Sequence, residues 1–306
     1  MKTVTAIICG KNSHAAAMRE EIELNFLPHF QLVTYITEKD TATQIAREAV
    51  LKGTDVILAV GGDGTINEVV NGVVKETADI TKLPSVAVIP FGTGNDLART
   101  ANLGKNYEKL IDKINRDDYS IIDLALAQYR NNEGEMEKRF YVNIADIALG
   151  PKVIAKAEVL AKKLPGTLSY LLAAIPSLIF PPKMSVRLTS DGFNYEGPVS
   201  IMTIANGHYM GGGFGISPYS KLDDEILDIV IIKKLTITKF LFKISKIRQC
   251  KLVFADQITY RHATFCKVES ISGEEIPIEL DGELVGTTPL EVKIFSSSLK
   301  LFVDTK

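Results

Sequence analysis

Ile57-Leu58-Ala59-Val60-Gly61-Gly62-Asp63-Gly64-Thr65-Ile66-Asn67-Glu68 is an apolar run that breaks into glycines and resumes with a helical period. Phosphate chemistry wants this arrangement: glycines let backbone N–H groups approach phosphate oxygens, a helix N-terminus adds a favourable dipole, and a carboxylate in the turn can hold Mg²⁺. The stretch lacks the Gly-Lys-Ser/Thr ending of a P-loop. It is not a dinucleotide G-x-G-x-x-G either, because Asn67 takes the last glycine position. A tight strand-to-helix turn with Glu68 as a plain capping residue is the competing reading.

Working outward, the runs Val4 to Cys9, Leu32 to Ile36, Val56 to Val60 and Ser85 to Pro90 alternate with helical patterns over Ala15 to Leu27 and Thr41 to Leu51. Such β-α-β alternation predicts a parallel, doubly wound sheet with helices on both faces. Thr41-x-x-Gln44 and Thr65-x-x-Glu68 have capping-box spacing and mark two helix starts. A second strand-to-helix turn, Ile89-Pro90-Phe91-Gly92-Thr93-Gly94-Asn95-Asp96, opens at the same sheet edge, where α/β ligands bind; locally, Asn95-Asp96 also reads as a helix cap.

From about Ile121 the texture changes to extended runs: Ile121 to Tyr129, Phe140 to Leu149, Met184 to Thr189, Tyr195 to Ala205, Ile226 to Ile232, Ile258 to Glu269 and Pro277 to Leu280. These predict a largely antiparallel β domain. Asp191-Gly192 and Asp281-Gly282 are hairpin signals, and at Asp281-Gly282-Glu283 a type I′ turn needs nothing more. The predicted boundaries are 1–120, completed by 296–306, and 121–295.

Composition narrows the class. With 306 residues, 46% of them hydrophobic and 24% charged, the chain can bury a core without disulfides or metals. A net charge of -2 gives no global field for nucleic acid. Cys9, Cys250 and Cys266 are an odd number at wide spacing, as expected of free thiols in a reducing cytosol, and no leader pattern opens the sequence. The uncharged stretch between Lys163 and Lys183 carries Pro165, Pro176, Pro181 and Pro182, which argue against a spanning helix and leave a surface-lying piece over Leu168 to Ile175.

Five motifs, in order, resemble the diacylglycerol kinase catalytic-domain superfamily and its bacterial lipid kinases. They are Gly61-Gly62-Asp63-Gly64-Thr65 with Asn67-Glu68, Pro90 to Asp96, Gly211-Gly212-Gly213, Lys221-Leu222-Asp223-Asp224, and Leu280-Asp281-Gly282-Glu283. The resemblance implies an N-terminal lobe like that of NAD kinases and phosphofructokinases and a C-terminal β-sandwich lobe. It implies ATP and Mg²⁺ as cofactors and a lipid substrate at a membrane surface. Gly61, Gly62, Asp63, Gly64, Thr65, Asn67, Glu68, Thr37 and Thr93 would contact nucleotide, with Asp63 at the Mg²⁺-phosphate site. Gly94, Asn95 and Asp96 would meet substrate, Asp281 or Glu283 would act as base, and Lys221, Asp224 and Ile226 would hold a structural metal.

The first strand ends in Cys9-Gly10-Lys11-Asn12-Ser13 where the family has Asn-Pro-x-Ser/Ala-Gly, so that Gly10, Lys11, Asn12 and Ser13 become the matching phosphate contacts. Glu225 stands where the family has glycine. An NAD kinase shares Gly-Gly-Asp-Gly, but the Gly-Thr-Gly-Asn-Asp turn and the terminal Asp-Gly-Glu speak against it; a non-catalytic lipid-binding relative is the other rival. Between Ile229 and Ala255 the sequence has seven Lys or Arg and no acid after Asp228. Lys239, Lys243 and Lys246 recur on one helical face beside Phe240, Ile244 and Ile247, the pattern of a segment lying on anionic lipid. A cytoplasmic protein in peripheral contact with the inner face of the membrane is expected; a homodimer stays open.

Overall fold

Every residue of β3 (Val56–Gly61) is buried, as are the last five of β1 (Thr3–Ile8) and the first five of β4 (Ser85–Pro90). Strands so apolar on both faces belong inside a parallel sheet. β1 pairs in parallel with β2 (Gln31–Ile36) and with β3, and β3 with β4. The end of the last strand, β17 (Glu283–Leu301), joins beside β4, with Leu301 opposite Val86. On one face α1 (Ala15–Phe26) lays Met18, Ile22 and Phe26 onto Val4, Ala6, Leu58 and Val60, with Ile111 and Ile114 of α5 (Tyr107–Arg116) in the same core. On the other, α2 (Ala42–Leu51) and α3 (Asp63–Val73) pack so closely that a Cβ on Gly72 would lie 2.4 Å from the Thr43 carbonyl oxygen. A one-turn helix, α4 (Asp96–Thr100), follows β4.

This computed structural model describes residues 1–38, 41–75, 79–153, 184–233, 237–251, 257–271 and 273–303. The chain divides into two units, Met1–Asp123 with Ser296–Lys306, and Leu124–Phe295. The stretch between Lys163 and Lys183, with its expected helical piece, lies outside the described residues.

The second unit contains the greater part of β5 (Ser120–Arg130), β6 (Met136–Tyr141), β7 (Ile144–Ala148), β8 (Met184–Ser190), β9 (Asn194–Val199), β10 (Ile201–Ala205), β11 (Tyr209–Met210), β12 (Phe214–Gly215), β13 (Leu227–Ile232), α6 (Ile237–Arg248), β14 (Ile258–Ala263), β15 (Phe265–Ser270) and β16 (Pro277–Leu280). Antiparallel pairing runs β14-β13-β10-β7-β16-β17, and β17 also pairs with β15, which leads to β8 and β9. Alternate residues of these strands, among them Ala145, Ile147, Met202, Ile204, Ile229, Ile278 and Val292, form one core. The fold is thus the expected α/β lobe followed by a β-sandwich.

Local details depart from the sequence pattern. Neither capping box forms. Thr41 precedes α2, but its Oγ1 donates to the Glu38 carbonyl and accepts from the Glu38 N–H, and Gln44 donates to Glu48 instead. α3 begins at Asp63, two residues before Thr65, because the exit from β3 turns at an extended Gly62. The run Phe140 to Leu149 breaks at 142 and 143, whose N–H groups leave the ladder for the Asp281 carboxylate. The run Tyr195 to Ala205 breaks at Ser200, whose N–H donates to the Ile232 carbonyl.

Candidate active site

In the first unit the turns after β1, β3 and β4 meet at one sheet edge. Gly62 and Gly92 touch: a Cβ on Gly92 would lie 2.4 Å from the Gly62 Cα, which leaves no room for a side chain at Gly92, and a Cβ on Gly62 would sit a tight 3.2 Å from the Gly92 Cα. Asn95, left-handed at φ 53°, closes the second turn by accepting from Gly92 N–H at 2.9 Å and donating to its carbonyl at 2.8 Å. The Asp63 carboxylate bridges the two turns, Oδ2 accepting from Asp96 N–H at 3.0 Å and Oδ1 from Leu97 N–H at 2.9 Å. Burial pushes its pKa up, and those two backbone bonds oppose the shift.

A Cβ on Gly94 would lie 3.0 Å from the Asp63 Oδ2 and 3.6 Å from the Asp96 Oδ2, so two carboxyl groups flank one bare backbone position. Hard oxygen donors of this kind fit Mg²⁺. The β1 turn is tied to the same edge. Gly10 N–H donates to Thr37 Oγ1 at 3.1 Å, a Cβ on Gly10 would strike the Thr37 carbonyl, and Asn12 Nδ2 donates to the Phe91 carbonyl at 3.4 Å. Lys11, Ser13 and Thr93 are exposed along this edge.

Three residues expected at the nucleotide also have partners within the protein. Asn67 is wholly buried inside α3, where its Oδ1 accepts from Asn71. Glu68 Oε2 accepts from Ala42 N–H at 3.2 Å and so caps α2. Thr65 packs its side chain under Gly61, where a Cβ would come within 2.5 Å of it. The spacing that suggested a capping box therefore records the packing of α2 on α3.

In the second unit Asp281 and Gly282, at φ 48° and 91°, form a two-residue type I′ hairpin between Leu280 and Glu283. The buried Asp281 carboxylate accepts from three successive backbone groups, Val142 N–H at 2.8 Å, Asn143 N–H at 2.9 Å and Ile144 N–H at 3.1 Å. Those donors occupy most of its lone pairs and make it a brace for the start of β7. Glu283 is ion-paired with Arg139, a partner that the sequence did not reveal because it lies 144 positions away. At the expected structural metal, Lys221 is exposed, Asp224 Oδ1 accepts from Ile226 N–H at 3.3 Å, and Glu225 takes a left-handed φ of 62°. Among the described residues no three His, Cys, Asp or Glu side chains group as metal ligands.

Comparisons agree with this architecture. Residues 9–127 match the diacylglycerol kinase catalytic domain, and residues 146–303 match the YegS C-terminal NAD kinase beta sandwich-like domain. The chain is 30% identical to a Bacillus subtilis (strain 168) diacylglycerol kinase over 82% of this chain and 78% of that one. It is 27% identical to a "probable lipid kinase YegS-like" of Xanthomonas oryzae pv. oryzae over 90% and 88%. The crystal structure of a Bacillus anthracis str. Sterne diacylglycerol kinase superposes with a TM-score of 0.71 at 23% identity, covering 99% of this chain and 97% of that one. Yeast NADH kinase shares the fold, with a TM-score of 0.56 at 12% identity over 99% and 84%. Two family domains in order, joined to a glycine-lined turn edge that converges on a carboxylate, make the chain a member of the diacylglycerol kinase family and a kinase.

Proposed function

We propose that the enzyme transfers the γ-phosphoryl group of ATP, with Mg²⁺, to a lipid hydroxyl, with diacylglycerol, giving phosphatidic acid, as the reference acceptor. The observation that supports this is Asp63, held between two touching glycine turns with Asp96 beside it. Phosphoryl transfer asks mainly for positioning and charge neutralisation. Backbone N–H groups at the start of α3 and the bare Gly92 to Gly94 turn give phosphate oxygens close approach, and Gly10, Lys11, Asn12, Ser13 and Thr37 bound the same edge. Asp63 and Asp96 would hold Mg²⁺, which would supply positive charge at the phosphates; the lipid hydroxyl oxygen bonds to the γ-phosphorus as the bond to ADP breaks. The hydroxyl proton passes to a carboxylate, for which Glu283 is a freer candidate than Asp281, whose oxygens accept three N–H groups.

The test is labelled ATP offered with a panel of lipids in mixed micelles, and with NAD. Labelled phosphatidic acid is expected, and phosphorylation of NAD alone would overturn the reading. The proposed working place is the cytoplasmic face of the membrane, reached through the basic helix α6; among the described residues no helix is long and apolar enough to cross a bilayer.

A further inference from the structure

An acid that takes the acceptor's proton has to be reachable, charged and aimed. Among the acids of the second unit, Asp146 on β7 is wholly buried, and neither of its carboxyl oxygens has a hydrogen-bond partner among the described residues, so it is closed to substrate. Asp281 turns its oxygens to three backbone N–H groups. Glu283 differs from both: its side chain keeps 28% of its surface open, and its partner is the Arg139 guanidinium, itself only 21% open.

Arg139 is gripped from behind. Glu137 and Arg139 are two apart on β6 and so share a face, and Tyr129 of β5 stands opposite Glu137. The buried Tyr129 hydroxyl accepts from Arg139 and donates to Glu137, which fixes one side of the guanidinium while Nη2 donates to Glu283 Oε2. On β5 the residue opposite Arg139 is Ala127, whose small side chain leaves the long one room. Burial opposes the Arg139 charge, and Glu283, with smaller help from Tyr129 and Asp281, outweighs burial and holds its pKa above the ordinary arginine value. A planar fork fixed in this way gives a rigid donor to a glutamate that would otherwise rotate freely.

We propose that Arg139 is a positioning residue for phosphoryl transfer: it holds the Glu283 carboxylate charged and in one orientation beside the Asp281 turn, where Glu283 receives the acceptor hydroxyl's proton. The proton leaves the hydroxyl as its oxygen bonds to the γ-phosphorus, rests on Glu283, and passes to water after ADP and the phosphorylated lipid depart. Arg139 keeps its own protons throughout. This inference rests on the lipid-kinase reading. A mere strut between the β5-β6 and β16-β17 hairpins would instead lower stability with no selective loss of turnover.

The test is a double-mutant cycle in turnover, with labelled ATP and diacylglycerol in mixed micelles. Arg139→Met should lower kcat by about tenfold or more and leave KM for ATP within about twofold of wild type, and Arg139→Lys, which keeps the charge without the planar fork, should regain part of the loss. In a Glu283→Gln background, already slowed, Arg139→Met should change kcat by less than about twofold, because the group it positions is gone. A loss of equal size in both backgrounds, a loss carried by KM for ATP, or wild-type kcat in either Arg139→Met or Glu283→Gln would overturn the assignment. If Arg139→Met does not fold, Arg139→Lys runs the same cycle, slowed about threefold with Glu283 present and unchanged without it. A wild-type enzyme that phosphorylates no lipid would bring down the lipid-kinase reading itself, whereas an active enzyme with an additive cycle leaves that reading standing and removes only Arg139 from it.

Discussion

Gly92 and Gly104 differ in what surrounds them, and that difference sets their tolerance. A Cβ on Gly92 meets Gly62 backbone at 2.4 Å, whereas one on Gly104 meets nothing within 4 Å. Gly92→Ala should therefore lower stability by about 2 kcal/mol or more and weaken ATP binding, while Gly104→Ala should be neutral or slightly stabilising; urea titration of both, with nucleotide titration of the first, checks this. Asp281→Asn removes an acceptor from the backbone of β7 and should cost about 1–3 kcal/mol. A fall in turnover in that variant has to be read beside its unfolding midpoint. Asp146 carries a pH signature. Its folded carboxyl is raised to about 8 against about 4 in the unfolded chain, so its contribution is fully present below pH ~4 and is lost as pH rises through ~8. The loss is on the order of 5 kcal/mol at most. Asp146→Asn should flatten that decline, measured as unfolding free energy at pH 5 and pH 8.

The basic helix α6 is an element whose role depends on its surface. Lys246 and Arg248 are exposed, Lys243, Ile244 and Ile247 are half-buried, and Lys239 and Phe240 lie outside the described side chains. Each cation near an anionic surface contributes roughly 1 kcal/mol, so changing Lys239, Lys243 and Lys246 to Glu should reduce co-sedimentation with phosphatidylglycerol vesicles by tenfold or more at low salt. Equal binding to neutral vesicles would refute the electrostatic part. Strands β1, β3 and β4 of the first unit were legible in the sequence because burial on both faces of a parallel sheet leaves unbroken apolar runs between helical periods, whereas α5 was not read from the sequence. The type I′ turn at Asp281-Gly282 was legible because its backbone demands those residues. The helix caps were not. Glu68 serves a helix 26 residues before it, and Thr41 finds a nearer partner in Glu38. Nor were the N–H groups that hold Asp281, which come from 137 to 139 positions away. Asp146 could have been noticed as the lone acid in an apolar run, although nothing local showed that it lacked a partner.

At the scale of the molecule, the first unit is made of two separated pieces. The chain leaves it after Asp123 and returns at Ser296, and there Ser297 N–H donates to Asp123 Oδ1 at 2.7 Å. The returning piece is integral: Leu301 pairs with Val86, Phe302 lies in the core beneath α1 and α5, and Lys300 Nζ donates to the carbonyls of Thr81 and Leu83. Removing residues 296–306 should therefore abolish ATP binding and lower the melting temperature of the first unit although no residue of the glycine turns is touched; differential scanning calorimetry with and without nucleotide would show it. The same connectivity orders events on the ribosome. The second unit is continuous and all of it is translated before the returning piece, so it can fold while the nucleotide lobe still lacks an edge strand. During synthesis the lobe that begins first is the one that must finish last.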